Sequence, residues 1–136
     1  TLSEILKIAC ADVFCRPHPE GLLRGKKHPL NEIFRYEKRI FEAAMDDYDG
    51  LIFDNPQSRI FVYALISSKP IIFINTIPNY FASDVETIIR RRCTVLDVSF
   101  DKNNFLCTNA QILLEAVSKL SPPDNEAIRE IRHLFL

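Results

Sequence analysis

Residues 48–76, YDGLIFDNPQSRIFVYALISSKPIIFINT, leave the chain little choice of fold. Gly50-Leu51-Ile52-Phe53 and Pro70-Ile71-Ile72-Phe73-Ile74 are short apolar runs without alternation. Strands covered on both faces of a parallel sheet have that character, and neither run is long enough for a helix. Between them, Asn55 reads as an N-cap and Pro56 as the first helical residue, where a missing amide hydrogen costs nothing. The body that follows, Ile60, Phe61, Val62, Ala64, Leu65 and Ile66, is apolar nearly all round, as in a helix packed deep against a sheet. Ser67-Ser68-Lys69-Pro70 stops it, because proline forbids continuation. The stretch is one βαβ unit. Its turn, 54–58, falls at the carboxyl end of a parallel strand, where open α/β sheets bind ligands. There it offers a hydroxyl and backbone amides to an anion such as a phosphate.

The flanking sequence extends the pattern. Residues 2–9 carry helical spacing. Asp12-Val13-Phe14-Cys15-Arg16 reads as a strand that ends in Arg16-Pro17-His18-Pro19-Glu20-Gly21, where two prolines and a glycine rule out regular structure. If the two strands are neighbours, this loop and the 54–58 turn share one rim of the sheet. Residues 31–47 are expected to be helical through the stripe Ile33, Phe34, Ile40, Phe41, Ala44 and Met45. Ser83 caps a helix whose end collects Arg90, Arg91 and Arg92, a sensible place for cations beside the negative end of the macrodipole. A β-branched strand follows at 94–98. Two further helices come after it, capped by Thr108 or Asn109 and by Asp124, and Ser121-Pro122-Pro123 separates them. Four strands alternating with helices predict an α/β fold, a Rossmann-like parallel sheet of about four strands flanked by helices.

A length of 136 residues, 47% hydrophobic and 26% charged, is that of one ordinary globular domain, so residues 1–136 are read as a single unit. The net charge of −1 gives no support to general attraction for nucleic acid or membrane. The distribution is uneven, however. Residues 16–39 hold seven cations against three acids, and 40–57 hold five acids and no Lys or Arg. Cys10, Cys15, Cys93 and Cys107 form no CxxC pair and no zinc-type spacing, so they read as thiols of a reducing compartment. No signal peptide and no run of eighteen apolar residues is present. The first residue is Thr1, so the chain reads as processed or as a fragment of a longer protein.

Chemistry concentrates in the two rim loops. Prolines on both sides of His18 fix its backbone and hold the imidazole at a set angle, from which it can donate to a phosphate oxygen. Ser58 and the adjacent amides can hold the other oxygens, while Arg16, Arg24, Lys26 and Lys27 add positive potential. No acid is placed by sequence to orient His18, which argues against a nucleophilic triad. No carboxylate cluster asks for a metal.

The order of these parts resembles a known pattern. A strand ending in Arg16-Pro17-His18-Pro19, then Asp49-Gly50-Leu51-Ile52-Phe53-Asp54-Asn55-Pro56-Gln57-Ser58, the Ala64-Leu65 pair and Lys69-Pro70-Ile71-Ile72 are similar to the carboxyl-terminal, donor-binding lobe of GT-B glycosyltransferases. The nearest in pattern are those using cytidine-activated donors: bacterial sialyltransferases and Kdo transferases, and the glycerophosphotransferases of teichoic acid synthesis. The resemblance covers residues 11–76. It implies that the chain is the donor-nucleotide-binding half of a transferase of surface or capsular polysaccharide synthesis. The donor is a CMP- or CDP-activated sugar or glycerol, with no further cofactor and no metal. It also implies that His18 is the catalytic candidate and that Arg16, His18, Asn55, Gln57 and Ser58 bind the donor phosphate. An amino-terminal lobe, absent here, would supply acceptor site and base, so the segment alone would not turn over. The whole protein would be cytoplasmic, at the inner face of the membrane, with peripheral membrane association. One departure stands out. The helix after the phosphate turn offers Phe61 or Tyr63 where many GT-B enzymes carry a ribose-binding glutamate, which counts against the common UDP-sugar donors. Two other readings stay open: a sugar-nucleotide epimerase of the same architecture, and a non-catalytic α/β interaction module.

Overall fold

A computed structural model describes residues 12–16, 34–104, 106–107 and 109–136. In chain order the elements are β1 (Phe14–Cys15), β2 (Arg35–Tyr36), α1 (Phe41–Ala44) running into a 3₁₀ turn (Met45–Asp47), β3 (Leu51–Phe53), α2 (Arg59–Leu65), β4 (Ile71–Asn75), α3 (Ser83–Arg92), β5 (Thr94–Asp97), β6 (Ser99–Phe100), β7 (Leu106–Cys107), α4 (Ala110–Ser118) and α5 (Asn125–Phe135). The central sheet has order β3-β4-β5, all parallel, with Leu51 opposite Ile71 and Ile72 opposite Thr94.

At β4 both faces of this sheet are covered, and the alternation along the strand shows how. Ile71 and Phe73 enter one core with Phe61, Ala64 and Leu65 of α2, Ile89 of α3 and Ile131 of α5. Ile72, between them, enters a second core with Leu96 and with Leu113 of α4. Phe61 and Phe73 are each 1% exposed, with ring centroids 5.0 Å apart. Burying side chains of this size stabilises the fold by roughly 1.5–3 kcal/mol apiece. β4 therefore packs as its sequence requires, between helices, whereas on β3 Ile52 is 39% exposed, so this strand is not covered on both faces as its apolar run predicts.

Four expectations change. First, Phe14–Cys15 pairs in parallel with Arg35–Tyr36 rather than joining the central sheet, which leaves three hydrogen-bonded strands there instead of four. Second, the described part of 31–47 is not one helix. The polar run between Phe34 and Ile40 supplies β2, whose ladder with β1 continues through Glu37 N donating to the Cys15 carbonyl. The Arg39 guanidinium then folds back onto Glu37 and Asp47. Phe41, Ala44 and Met45 are buried as the stripe predicts, but in one short helix and a 3₁₀ turn.

Third, the central helix begins at Arg59, with Ser58 as its N-cap, not at Asn55 and Pro56. The Asn55 side chain instead accepts from Gln57 N at 2.9 Å, closing a local turn, and Pro56 is buried. Fourth, the arginines ending α3 do not behave alike. Arg90 and Arg91 are exposed and ion-paired, whereas Arg92 is 3% exposed. Its guanidinium crosses to the far end of α2, where Nε donates to the Leu65 carbonyl at 2.6 Å. Its NH2 group reaches the carbonyls of Ala64, Ser67 and Lys69 at 3.1, 2.9 and 2.9 Å. Arg92 therefore caps the carboxyl end of another helix, supplying donors to carbonyls of its last turn and of the turn beyond it.

Candidate functional site

The carboxyl ends of β3 and β4 feed the turn 54–58 and the loop 76–82. The Thr76 hydroxyl donates to the Asp54 carbonyl at 3.4 Å, tying the starts of the two connections together. Between them opens a cleft of about 420 Å³, within the range of roughly 300–1,000 Å³ usual for small-molecule sites. Pro56, Gln57, Ser58 and Arg59 form one wall and Tyr80, Phe81 and Ala82 the other, while Phe61, Val62, Leu65, Val85 and Phe135 make it apolar. Among the described residues no carboxylate lines it.

Ser58 sits where sequence placed it, at a helix start on this rim, but its hydrogen bonding is more committed than expected. Its Oγ accepts from Ile60 N at 3.2 Å. The hydroxyl proton is left to donate to a ligand oxygen. With Gln57 N held by Asn55 as well, two amides of the turn already have acceptors. Anion binding here would accordingly use side chains: the Ser58 hydroxyl, the Gln57 carboxamide and, most of all, Arg59. Arg59 is exposed, and among the described residues it enters no ion pair. α2 carries no acid in its first turn to oppose it.

Of the residues singled out from sequence, Gln57 and Ser58 share the cleft wall, and Asn55 supports them by closing the turn. Arg16 is placed differently: its guanidinium donates to the Arg39 carbonyl, a contact with the backbone that follows β2. His18 lies outside the described residues, as do Arg24, Lys26 and Lys27. Burial, with the Asp54 carboxylate adding to it, pushes the Cys15 thiol up. Sequence reasoning missed Arg59 and Phe135 and gave Tyr80 no role. Arg59 was readable as the cation immediately after the cap. Tyr80 and Phe135 reach the cleft from separate elements, and nothing local in their surroundings announces it.

Beside the cleft, the ends of β4 and β5 form a closed polar network. Asn75 Nδ2 donates to Asp97 Oδ1 at 2.9 Å, and Arg90 forks onto both Asp97 oxygens at 2.8 and 2.9 Å while also reaching Glu86 at 3.0 Å. The Arg90 guanidinium, foremost, holds the Asp97 carboxyl below the usual range. That carboxylate is a strut of the rim, with both oxygens already occupied. Among the described residues no group of three or more His, Cys, Asp or Glu side chains comes together to hold a metal.

The fold and the cleft define a mixed α/β protein whose three-stranded parallel sheet, flanked by helices, is compatible with a Rossmann-like arrangement. Comparison with protein-family models, curated proteins and solved structures found no match to this chain.

Proposed function

We propose that this chain is the donor-binding half of a GT-B glycosyltransferase or glycerophosphotransferase of surface polysaccharide synthesis, taking a CMP- or CDP-activated donor. The observation that carries the reading is the cleft itself. It lies at the carboxyl rim of a parallel sheet, has apolar and aromatic walls with no carboxylate among the described residues, and has Ser58 and Arg59 on one wall. Such a lining suits a planar base with a phosphate attached. An arginine and a hydroxyl would hold the phosphate and stabilise the charge that grows on the departing nucleotide, the kind of electrostatic contribution that usually dominates transfer chemistry. In this reading His18, which follows β1 in sequence, also donates to the phosphate, and a separate lobe brings acceptor and base.

A nucleotide thermal-shift series tests this. CMP or CDP raises the melting temperature by binding the folded state selectively, UDP does so less, and Ser58→Ala or His18→Ala removes the rise. A response to UDP with none to CMP would overturn the cytidine assignment. A rise that survives both substitutions would move the site elsewhere.

A further inference from the structure

The loop 76–82 buries one aromatic side chain and presents another. At its start the Thr76 hydroxyl is tied to the Asp54 carbonyl. Near its end Phe81 packs against the core, with its ring centroid 6.3 Å from that of Phe73. Between these anchors Asn79 takes a left-handed backbone, φ 57°, a conformation that asparagine tolerates better than most side chains. Tyr80 therefore follows a reversal and stays outside the core. Its ring meets that of Phe81 at 4.9 Å and an interplanar angle of 88°, yet it remains 41% exposed on the cleft wall. Among the described residues its hydroxyl has no hydrogen-bond partner. The other rings of the lining are less suited to receive a ligand. Phe61 is 1% exposed, Phe81 is held in the core, and Phe135, though as exposed as Tyr80, has no ring packed against it among the described residues.

We propose, on the basis of the nucleotide reading of this cleft, that Tyr80 is the platform on which the ligand's ring stacks. A nucleotide then lies across the cleft with its base on the 76–82 loop and its phosphate at Arg59 on the opposite wall. An aromatic face held by its neighbours loses little freedom when a second ring settles on it, and it accepts any base, because every base has a π face. Tyr80 accordingly fixes where the ring lies without choosing between bases. Arg59 selects for the charged end, since its guanidinium has no ion pair of its own among the described residues and matches a phosphate in shape and charge. The two contacts fall on different parts of the ligand, so each can be removed separately.

Amide NMR titrations of the 136-residue chain with CMP, cytidine and ribose 5-phosphate test it. Tyr80→Ala weakens CMP and cytidine about fivefold to a hundredfold and leaves ribose 5-phosphate unchanged. Arg59→Gln weakens CMP and ribose 5-phosphate about tenfold to a hundredfold and leaves cytidine unchanged. Tyr80→Phe keeps the wild-type affinity, whereas Tyr80→Leu, apolar but without a flat ring, behaves like Tyr80→Ala. Both of these keep a large side chain beside Phe81, so their contrast reads stacking apart from folding. CMP binding that Arg59→Gln weakens and Tyr80→Ala does not, or that Phe135→Ala weakens in place of Tyr80→Ala, overturns the stacking assignment and leaves the nucleotide reading standing. Equal losses of cytidine and ribose 5-phosphate in Tyr80→Ala overturn it too, because the side chain would then be shaping the cleft rather than holding the ring. Failure of the wild-type chain to bind CMP overturns both.

Discussion

Arg92→Met should be among the most destabilising single substitutions in the chain. The wild-type side chain is 3% exposed, has no carboxylate counter-ion among the described residues, and donates to four carbonyls at the end of α2 and the turn beyond it. Burial lowers the pKa of the guanidinium from its ordinary value, and the partial negative charge of those carbonyls offsets that desolvation. The Ala64 carbonyl keeps other donors, the amide and hydroxyl of Ser67, when the arginine is removed. The carbonyls of Leu65, Ser67 and Lys69 lose their arginine donor. At roughly 1.5–3 kcal/mol per hydrogen bond to a charged group, three such losses outweigh the relief of an unburied charge. The net destabilisation is about 3–5 kcal/mol, three lost charge-assisted hydrogen bonds less the relief of desolvation. Arg92→Lys keeps the charge but not the planar fork, so it should lose roughly half as much. Urea unfolding at fixed protein concentration reads both as a lower midpoint at unchanged slope. If Arg92→Met falls within about 0.5 kcal/mol of wild type, as for a surface cation, then the capping role is wrong.

Other consequences follow from single contacts. Ser58→Ala removes the N-cap of α2 and should cost about 1 kcal/mol by the same unfolding assay, with α2 amides exchanging faster. A Cβ on Gly50 would lie 2.9 and 3.0 Å from the two δ-carbons of Leu120, so Gly50→Ala forces that side chain aside and should cost about 1–2 kcal/mol. A second substitution, Leu120→Ala, should recover part of that loss in a double-mutant cycle. Glu37 accepts from Arg39, foremost, and from the Tyr48 hydroxyl, and its pKa is held down to about 2. A depressed folded-state pKa contributes stability that is complete above the ordinary glutamate range and is lost as pH falls from there toward about 2. Glu37→Gln should flatten that acid limb and leave the neutral-to-alkaline limb unchanged; an unaltered acid limb would show that the cluster does not hold.

The sequence conveyed best what depends on near neighbours. The strands at 51–53 and 71–75 are bounded by Gly50, Asp54 and Pro70, and the caps Asn109 and Asp124 each accept from amides within three residues of themselves. Choosing between Asn55 and Ser58 as the start of α2 needed more, because both precede helix formers. The buried Pro56 and the Asn55 turn decide it. Arg35 and Tyr36 sit inside a helical stripe and become a strand only because Phe14 and Cys15, about twenty residues earlier, offer a ladder. Arg92 looked like its two neighbours because the carbonyls it meets belong to another helix. The rim position of Ser58 was legible from the βαβ pattern, whereas the wall opposite it, Tyr80 and Phe135, is a product of packing alone.

An amide NMR titration of the chain with CMP tests the proposed site most directly. Shifts concentrated on residues 57–60 and 80–82, and absent after Ser58→Ala, are the expected result. Shifts confined to the opposite end of the sheet, around Tyr48 and Lys69, or none at all, would contradict it.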